Sequence, residues 1–236
     1  MDEQLVQEML LYYDERAEEY DDVYSGQGPA IRRYADKYQQ NTAEVCEIVA
    51  GFGHDHLIDI ACGTGFWAPH YARNCERFTF VDQSEGMLAE CKKRIEDLGL
   101  TSVSRFIQGN VFDVKLEPAT YDCAMVGFLL SHFTQEQEDA FFQKLKAALK
   151  PAAQLMIVDS YWSERRKTGG KEREGEQERI LNDGRVFKIY KKYFVESDIE
   201  EMLGRHQFTC KALHVGEMFI AAIADKREHL FRVKRC

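Results

Sequence analysis

An apolar run that ends in an acid and then enters a glycine-rich turn is the part of this chain best suited to bind a ligand. Residues 57–66 read LIDIACGTGF, with Asp59 before the turn and Gly63 and Gly65 inside it. Glycine tolerates positive φ and lets the backbone touch a ligand. A helix that starts after the turn offers unpaired N–H groups. The segment predicts a strand, a ligand-binding turn and a helix, although a tight turn without a ligand is an alternative. The position of Asp59 favours a ligand with an amino group over a pyrophosphate.

A second acid fits the same interpretation. Asp82 follows the next apolar run, and an acid about 20 residues after a glycine-rich turn is where a ribose diol is held in nucleotide-binding folds. Taken alone, such an acid is more often a helix cap or a solvated group. A dinucleotide site would need a third glycine shortly after Gly65, where the chain has Trp67 and Ala68. The missing glycine argues against a nicotinamide-dependent oxidoreductase.

A histidine after the fourth apolar run is the candidate general base. His132 lies between Ser131 and Phe133, and a base is needed where an acceptor must lose a proton. A histidine at a helix start that bonds only to the backbone is an equally good interpretation. The charged residues 164–167 and the basic tail 232–235 are interpreted as solvated charge.

Alternating strands and helices must position these residues. The hydrophobic pattern predicts strands at 57–61, 78–82, 104–108, 121–127 and 154–159, and helices at 3–20, 30–51, 65–73, 84–98 and 134–149. Ser84 and Thr134 are expected to cap two of these helices. Such alternation predicts a parallel sheet with helices on both faces, and ligands bind at the carboxyl ends of its strands.

The last third of the chain predicts an insertion and a closing pair of strands. Residues 163–179 are mostly charged or glycine and predict a solvated helix or a loop, and 186–194 is an extended run. Ser197 is expected to open a short helix through a capping box with Glu200. Strands near 207–214 and 218–224 should include an antiparallel one. We therefore predict a single domain, 1–236, with a doubly wound, mostly parallel seven-stranded sheet, a helical N-terminal lid at 1–50 and a substrate-side insertion at about 161–195.

Composition narrows the functional classes. The 236-residue chain has a net charge of −9, which argues against general attraction to nucleic acid. No apolar stretch is long enough to span a bilayer, and the N-terminus lacks a signal-peptide pattern. Seven cysteines without a Cys-x-x-Cys pair favour a reducing compartment, so a cytoplasmic location is expected.

Five motifs in order resemble the class I S-adenosylmethionine-dependent methyltransferases over roughly residues 10–160. They are the segments 59–65, 80–88 and 108–112, the pair Tyr121-Asp122 that opens a strand, and Leu149-Lys150-Pro151 before the fifth strand. The segment 12–21, YYDERAEEYD, also resembles the part of the family that covers the cofactor. The resemblance implies a Rossmann-like fold that binds S-adenosylmethionine and releases S-adenosylhomocysteine.

The same resemblance implies roles for individual residues. Asp59 would lie near the methionine ammonium, directly or through water, and Asp82 would accept both ribose hydroxyls. The rest of the implied cofactor site comprises Ala61, Gly63 and Gly65 beside the methionine, Gln83 and Met87 beside the adenine, Asn110 and Val111 at its edge, and Phe128 near the sulfonium. Asn110 stands where the family usually has aspartate, but an amide oxygen still accepts a hydrogen bond.

The predicted function is metal-independent methyl transfer to an oxygen or nitrogen of a small molecule. Strand four ends at Gly127, Phe128 and Leu129 and offers no carboxylate for magnesium. Tyr12, Tyr13 and Tyr20 of the lid, with Arg185 and Tyr190 of the insertion, are the predicted acceptor-side residues. A methyltransferase that acts on RNA or protein, and a non-catalytic S-adenosylmethionine-binding protein, are the alternatives.

Overall fold

Seven of the nine strands in residues 2–28 and 32–227 form one sheet. The computed structural model describes residues 2–28 and 32–227, so the basic tail at 232–235 lies outside the described residues. The strands are β1 (Asp55–Ile60), β2 (Cys75–Asp82), β3 (Ser104–Gln108), β4 (Tyr121–Gly127), β5 (Leu149–Ser160), β6 (Glu174–Ile180), β7 (Val186–Lys192), β8 (Phe208–Val215) and β9 (Phe219–Lys226). The sheet order is β3-β2-β1-β4-β5-β9-β8. Strands β1 to β5 pair in parallel, and β9 runs antiparallel to both neighbours, as predicted.

Helices cover both faces of this sheet. They are α1 (Glu3–Glu15), α2 (Asp22–Ser25), α3 (Ala35–Ala50), α4 (Ala68–Tyr71), α5 (Glu85–Asp97), α6 (Gln135–Ala148), α7 (Glu164–Thr168) and α8 (Glu196–Arg205). Successive strand residues point to opposite faces, so Ile58 packs with the cluster that includes α6 and α8, and Leu57 packs with the cluster that includes α3 and α5. Helix α3, predicted as part of the lid, belongs to this core.

Local capping signals position the helices that follow β2 and β4. The Ser84 hydroxyl accepts from the Met87 N–H at 3.0 Å, and Thr134 and Gln137 form a capping box at the start of α6. Both caps confirm the sequence prediction. The predicted cap at Ser197 is wrong, because α8 begins at Glu196 and its N-cap is Val195, two residues before the predicted one. There the Asp198 carboxylate accepts from the Val195 N–H at 2.6 Å.

The charged segment forms more strand than expected. Residues 163–179 were predicted as a solvated helix or a loop, yet residues 174–180 form β6, which pairs antiparallel with β7 in a separate two-stranded sheet. The pairing sets Glu178 opposite Lys188 and Glu174 opposite Lys192, and opposite charges across a ladder are favourable. One side of this hairpin also buries Phe187 and Ile189 against Tyr12 of α1. Both the charge pairing and the apolar face therefore favour the strand.

No helix within residues 2–28 and 32–227 has the length and apolar character needed to cross a bilayer.

A buried carboxylate ties α6 to the hairpin and to α8. Glu138 is buried and lies 3.1 Å from the Lys192 ammonium, and it also accepts from Arg205 and contacts His206. Burial raises the pKa of Glu138, but the hydrogen bond from His206 and the charge of Lys192 outweigh burial and lower that pKa to about 2. This carboxylate therefore stabilises the folded state more when it is ionised.

We expect Glu138→Gln to lower the free energy of unfolding at pH 7 by ~2 kcal/mol, because it removes the charged hydrogen-bond acceptor of the half-buried Lys192 and of Arg205. The folded-state pKa lies below the unfolded value, so this stability is present above pH 4.5 and is lost as the pH falls towards 2. Urea unfolding between pH 7 and pH 3 measures it. The difference between the wild type and Glu138→Gln should shrink over that range. Glu136→Gln, on the exposed side of α6, is the control.

Candidate functional site

The turn after β1 takes up an unusual backbone conformation. Ala61, Gly63 and Gly65 have φ values of 55°, 53° and 72°. The left-handed conformation costs an ordinary residue such as Ala61 roughly 1–2 kcal/mol, and strain of this kind concentrates at functional sites. The Gly63 N–H donates to the Asp82 carboxylate at 2.8 Å, which fixes the turn against the end of β2.

Asp82 is held by the backbone on both oxygens. Its second oxygen accepts from the Ser84 N–H at 2.9 Å. Burial raises the pKa of Asp82, while these backbone hydrogen bonds act to lower it. The carboxylate is therefore fixed in orientation at the carboxyl end of β2, where its remaining lone pairs are available to a ligand.

A cavity, here called the loop cavity, lies against this turn at the carboxyl ends of β1 to β4. Most residues predicted to bind the cofactor line it: Ala61, Gly63, Asp82, Gln83, Met87, Asn110, Val111 and Phe128. Val6, Met9 and Leu10 of α1 form an apolar part of its wall. The structure thus brings together residues that are far apart in sequence. Asp82 and Asn110 supply polar side chains at one edge of the loop cavity.

Two predicted cofactor residues do not line the loop cavity. Asp59 is buried and accepts from the Tyr71 hydroxyl at 2.6 Å, and burial raises its pKa to about 7. Gly65 lies against α5, where a Cβ atom would come within 2.9 Å of the Cys91 sulfur. Gly65 thus permits close packing of the turn on the helix. The ammonium role of Asp59 stays a prediction.

Asn110 also has a structural contact. Its side-chain oxygen accepts from the Phe112 N–H at 2.9 Å and so shapes the turn after β3. This contact orients the amide at the edge of the loop cavity.

A second cavity, here called the basic cavity, lies between α1, the hairpin and the end of β5. Tyr13, Tyr20 and Phe128 line both cavities and separate them. Phe128 has φ of 54°, so the strained residue after β4 stands at this partition. Seven cationic side chains line the basic cavity, with only two carboxylates, Glu19 and Asp22: Arg16, Arg33, Arg165, Arg166, Lys171, Arg179 and Lys191.

A tyrosine–histidine pair lies at the partition, where Tyr13 lines both cavities and His132 lines the loop cavity. The Nδ1 atom of His132 is 2.6 Å from the backbone oxygen of Tyr190, and its Nε2 atom is 2.7 Å from the Tyr13 hydroxyl. A carbonyl can only accept, so Nδ1 carries the proton and Nε2 accepts from Tyr13. Burial and the nearby Lys191 charge lower the pKa of His132 well below its ordinary value. His132 is therefore a neutral imidazole at pH 7.

The predicted acceptor-side residues divide into two groups. Tyr12, Tyr13 and Tyr20 line the basic cavity. Arg185 and Tyr190 line neither cavity. The Arg185 side chain pairs at the exposed surface with Glu15 at 2.8 Å and Asp183 at 2.7 Å, and the Tyr190 hydroxyl bonds to Glu174. Tyr190 reaches the site only through its carbonyl, because β7 turns its odd-numbered residues inward.

Several cavity residues were missed or misjudged from the sequence. Arg165 and Arg166, interpreted as solvated charge, line the basic cavity. Lys191 is buried on the inward side of β7, where it donates to Ser131 and lies 3.4 Å from Asp159. The period-two pattern of β7 is the signal that would have found Lys191, because its odd-numbered residues, Phe187 and Ile189 among them, are the buried ones.

Two carboxylates fasten the N-terminal segment beside the loop cavity. Asp14 accepts from the Ser84 hydroxyl at 2.7 Å and from the Gly86 N–H at 3.1 Å. Asp21 accepts from the Thr64 hydroxyl and from Arg94, each at 2.6 Å. These contacts join residues 14–21 to the glycine turn and to α5.

Comparison with known proteins agrees with this geometry. Residues 57–152 match the family model described as a methyltransferase domain. The solved complex of DhpI with SAM and HEP superposes with a TM-score of 0.74 at 25% identity, over 95% of this chain and 99% of that one. The match and the fold identify residues 57–152 as a methyltransferase domain of the class I S-adenosylmethionine-dependent type. S-adenosylmethionine is its cofactor.

Other relatives of this methyltransferase are more distant. The ubiquinone/menaquinone biosynthesis C-methyltransferase UbiE of Blochmanniella pennsylvanica is 29% identical over 106 residues, which is 44% of this chain and 41% of that protein. The chain therefore matches less than half the length of this curated relative. The 1,6-didemethyltoxoflavin-N1-methyltransferase of Burkholderia thailandensis shares the fold, with a TM-score of 0.65 at 16% identity over 95% of this chain and 90% of that one.

S-adenosylhomocysteine should raise the melting temperature of this methyltransferase, whereas NAD should not. A ligand present at about 100 times its Kd stabilises the folded state by ~2.7 kcal/mol, which corresponds to roughly 5–10 °C for a chain of this size. Thermal unfolding with each ligand at matched concentration measures the difference. A shift with NAD and none with S-adenosylhomocysteine would contradict the cofactor assignment.

Proposed function

We propose that this methyltransferase transfers the methyl group to an oxygen or nitrogen of a small molecule bound in the basic cavity, without a metal ion. The Tyr13–His132 hydrogen bond carries this proposal, because it places a proton acceptor at the partition between the two cavities. The cofactor would occupy the loop cavity and the acceptor the basic cavity, so that the two meet near Phe128.

The residues of the loop cavity fit the cofactor. We assign the ribose hydroxyls to Asp82, whose orientation two backbone N–H groups fix. The adenine would lie between Gln83 and Met87, with its edge at Asn110 and Val111. The methionine part would lie along Ala61 and Gly63, where no side chain beyond Cβ obstructs the backbone. When bound, S-adenosylmethionine supplies an electrophilic methyl group, and the protein supplies position and shielding.

The Tyr13–His132 pair would accept the proton that an acceptor hydroxyl or amine loses on methylation. The acceptor proton passes to the Tyr13 oxygen while the Tyr13 proton passes to Nε2 of His132. The Tyr190 carbonyl holds Nδ1–H throughout, so the imidazolium that forms keeps its orientation. Burial raises the pKa of Tyr13 well above its ordinary value, so this phenol is a hydrogen-bond donor in the resting enzyme.

Metal independence is supported by where the potential metal ligands lie. Among the described residues, the His/Cys/Asp/Glu groups compact enough to hold an ion are His54, Asp55 and Asp122, and Glu138, Asp139 and His206. Neither group lines the loop cavity or the basic cavity.

Carbon is a second candidate acceptor atom, because the UbiE relatives are C-methyltransferases by name. The family model ends at residue 152, before the inserted residues that line the basic cavity. The methyltransferase match therefore supports the cofactor chemistry more strongly than any particular acceptor.

Labelled methyl from S-adenosylmethionine should enter small molecules and not macromolecules. The proposal predicts turnover in a small-molecule extract, and no label above background in bulk tRNA or in denatured protein. Scintillation counting of the separated fractions measures this, with the Tyr13→Phe variant as the inactive control. Incorporation into tRNA or protein that Tyr13→Phe abolishes would contradict the proposal.

A further inference from the structure

We infer that the acceptor carries an oxyanion, either a carboxylate or a phosphoryl group, which the cations of the basic cavity bind. The inference rests on the proposed function and names the substrate class of the same site. The first observation that supports it is the contrast between the charge of the whole chain and the charge of the basic cavity. The whole chain carries a net charge of −9, yet the basic cavity collects seven cations and two carboxylates.

Most of these cations are not neutralised by the protein. Among the described residues, the ion pairs of this cavity join Lys191 to Asp159 and Arg165 to Glu217, at 3.4 and 3.5 Å. No carboxylate in residues 2–28 or 32–227 lies within ion-pair distance of Arg166 or Arg179. Half-buried cations gathered around one cavity without counter-charges repel one another, and an anionic ligand would offset that repulsion.

Arg166 has hydrogen-bonding capacity left for a ligand. One terminal nitrogen donates to the Met218 carbonyl at 3.2 Å, and the guanidinium stacks 4.5 Å from the centre of the Tyr193 ring. Its Nε atom is buried and has no hydrogen-bond partner. A guanidinium held flat in this way is suited to bidentate recognition of a carboxylate or phosphoryl group.

Arg179 is connected to Arg166 indirectly, through Gln177 and Tyr193. Both terminal nitrogens of Arg179 lie 3.2 Å from the Gln177 side-chain oxygen, which also accepts from the Tyr193 hydroxyl at 2.9 Å. Burial raises the pKa of Tyr193, but Arg179, Arg166 and other cations outweigh burial and lower that pKa to about 8. The phenol thus reports a positive potential inside the cavity.

The placement of these charges favours a small anion over nucleic acid. The cations converge on a cavity between α1, the hairpin and β5, and Tyr13 and Phe128 form its boundary with the loop cavity. An oxyanion bound at Arg166 and Arg179 would anchor one end of the acceptor and leave the other end for the Tyr13–His132 pair.

Calorimetric titration of the full chain with inorganic phosphate, succinate and glycerol tests the inference, both with saturating S-adenosylhomocysteine and without it. We expect phosphate or succinate to bind and glycerol not to bind. Arg166→Gln and Arg179→Gln should each weaken binding of that anion at least tenfold, while the affinity for S-adenosylhomocysteine stays within twofold of the wild type. The exposed Arg105→Gln, on β3 away from both cavities, is the matched control and should bind as the wild type does.

Tighter binding of phosphate would assign a phosphoryl acceptor, and tighter binding of succinate a carboxylate acceptor. Failure of both anions to bind, or anion binding that survives in both variants, would overturn the inference. If the wild type does not bind S-adenosylhomocysteine, the proposed function fails. The inference about the anion is still tested in that case, because the anions are also titrated without S-adenosylhomocysteine.

Discussion

Replacing Asp82 with asparagine should weaken the binding of S-adenosylhomocysteine about 100-fold. Both carboxylate oxygens accept a backbone N–H, from Gly63 and from Ser84. An amide has only one accepting oxygen, so its NH₂ group must face one of these donors and the glycine turn loses its fixed position. Hydrogen bonds to a charged group contribute about 1.5–3 kcal/mol each, and ~2.7 kcal/mol corresponds to a factor of 100.

Calorimetry of the Asp82→Asn variant measures this loss. Asp97→Asn, at the exposed end of α5, removes the same charge and should bind as the wild type does. Unchanged affinity in Asp82→Asn would eliminate the ribose role of this residue. A circular-dichroism melt of the variant separates loss of binding from loss of the fold.

Removing either member of the Tyr13–His132 pair should lower kcat by 10²- to 10³-fold for an acceptor that loses a proton, since a positioned base contributes about 10²–10⁴. We expect Tyr13→Phe and His132→Gln to have similar effects, and the double variant to be little worse than either, because the two side chains form one hydrogen-bonded unit. The affinity for S-adenosylhomocysteine should stay within about threefold of the wild type. Both side chains border the loop cavity, but their polar atoms bond to each other and to the Tyr190 carbonyl, not to the residues assigned to the cofactor.

The pH dependence gives this prediction a second readout. Burial lowers the pKa of His132 well below 6.5, so the imidazole stays neutral and able to accept a proton from pH 8 down to pH 6.5. In the wild type kcat/KM should therefore stay level over that range and fall only at more acid pH. Tyr161→Phe and His70→Gln, which line neither cavity, are the controls. Undiminished turnover in His132→Gln would remove this residue as the base.

Most of the sheet was predictable because its signals are local. The bounds of β3 and β4 match the predicted 104–108 and 121–127, and the caps at Ser84 and Thr134 depend only on residues within one helical turn. The Asp82 carboxylate was predictable for the same reason, since it ends a strand at a fixed distance from the glycine turn.

The acceptor side was less predictable because its contacts join distant segments. Tyr13 and His132 are 119 residues apart, and nothing near either residue specifies their hydrogen bond. Arg165 and Arg166 have the local composition of solvated charge. They line the basic cavity in the folded chain, where Tyr161, shortly before them, pairs with the distant Phe194. The strand at 174–180 likewise depends on its partner β7 and on the apolar contact with α1.

Helix α1 forms part of the wall of both cavities. Met9 and Leu10 line the loop cavity, Tyr12 lines the basic cavity and Tyr13 lines both. A ligand that immobilises α1 from one cavity therefore lowers the conformational entropy that is lost when a second ligand binds in the other cavity. Thermodynamic linkage makes such an effect reciprocal, so the cofactor product and an acceptor anion should each increase the affinity for the other by the same factor.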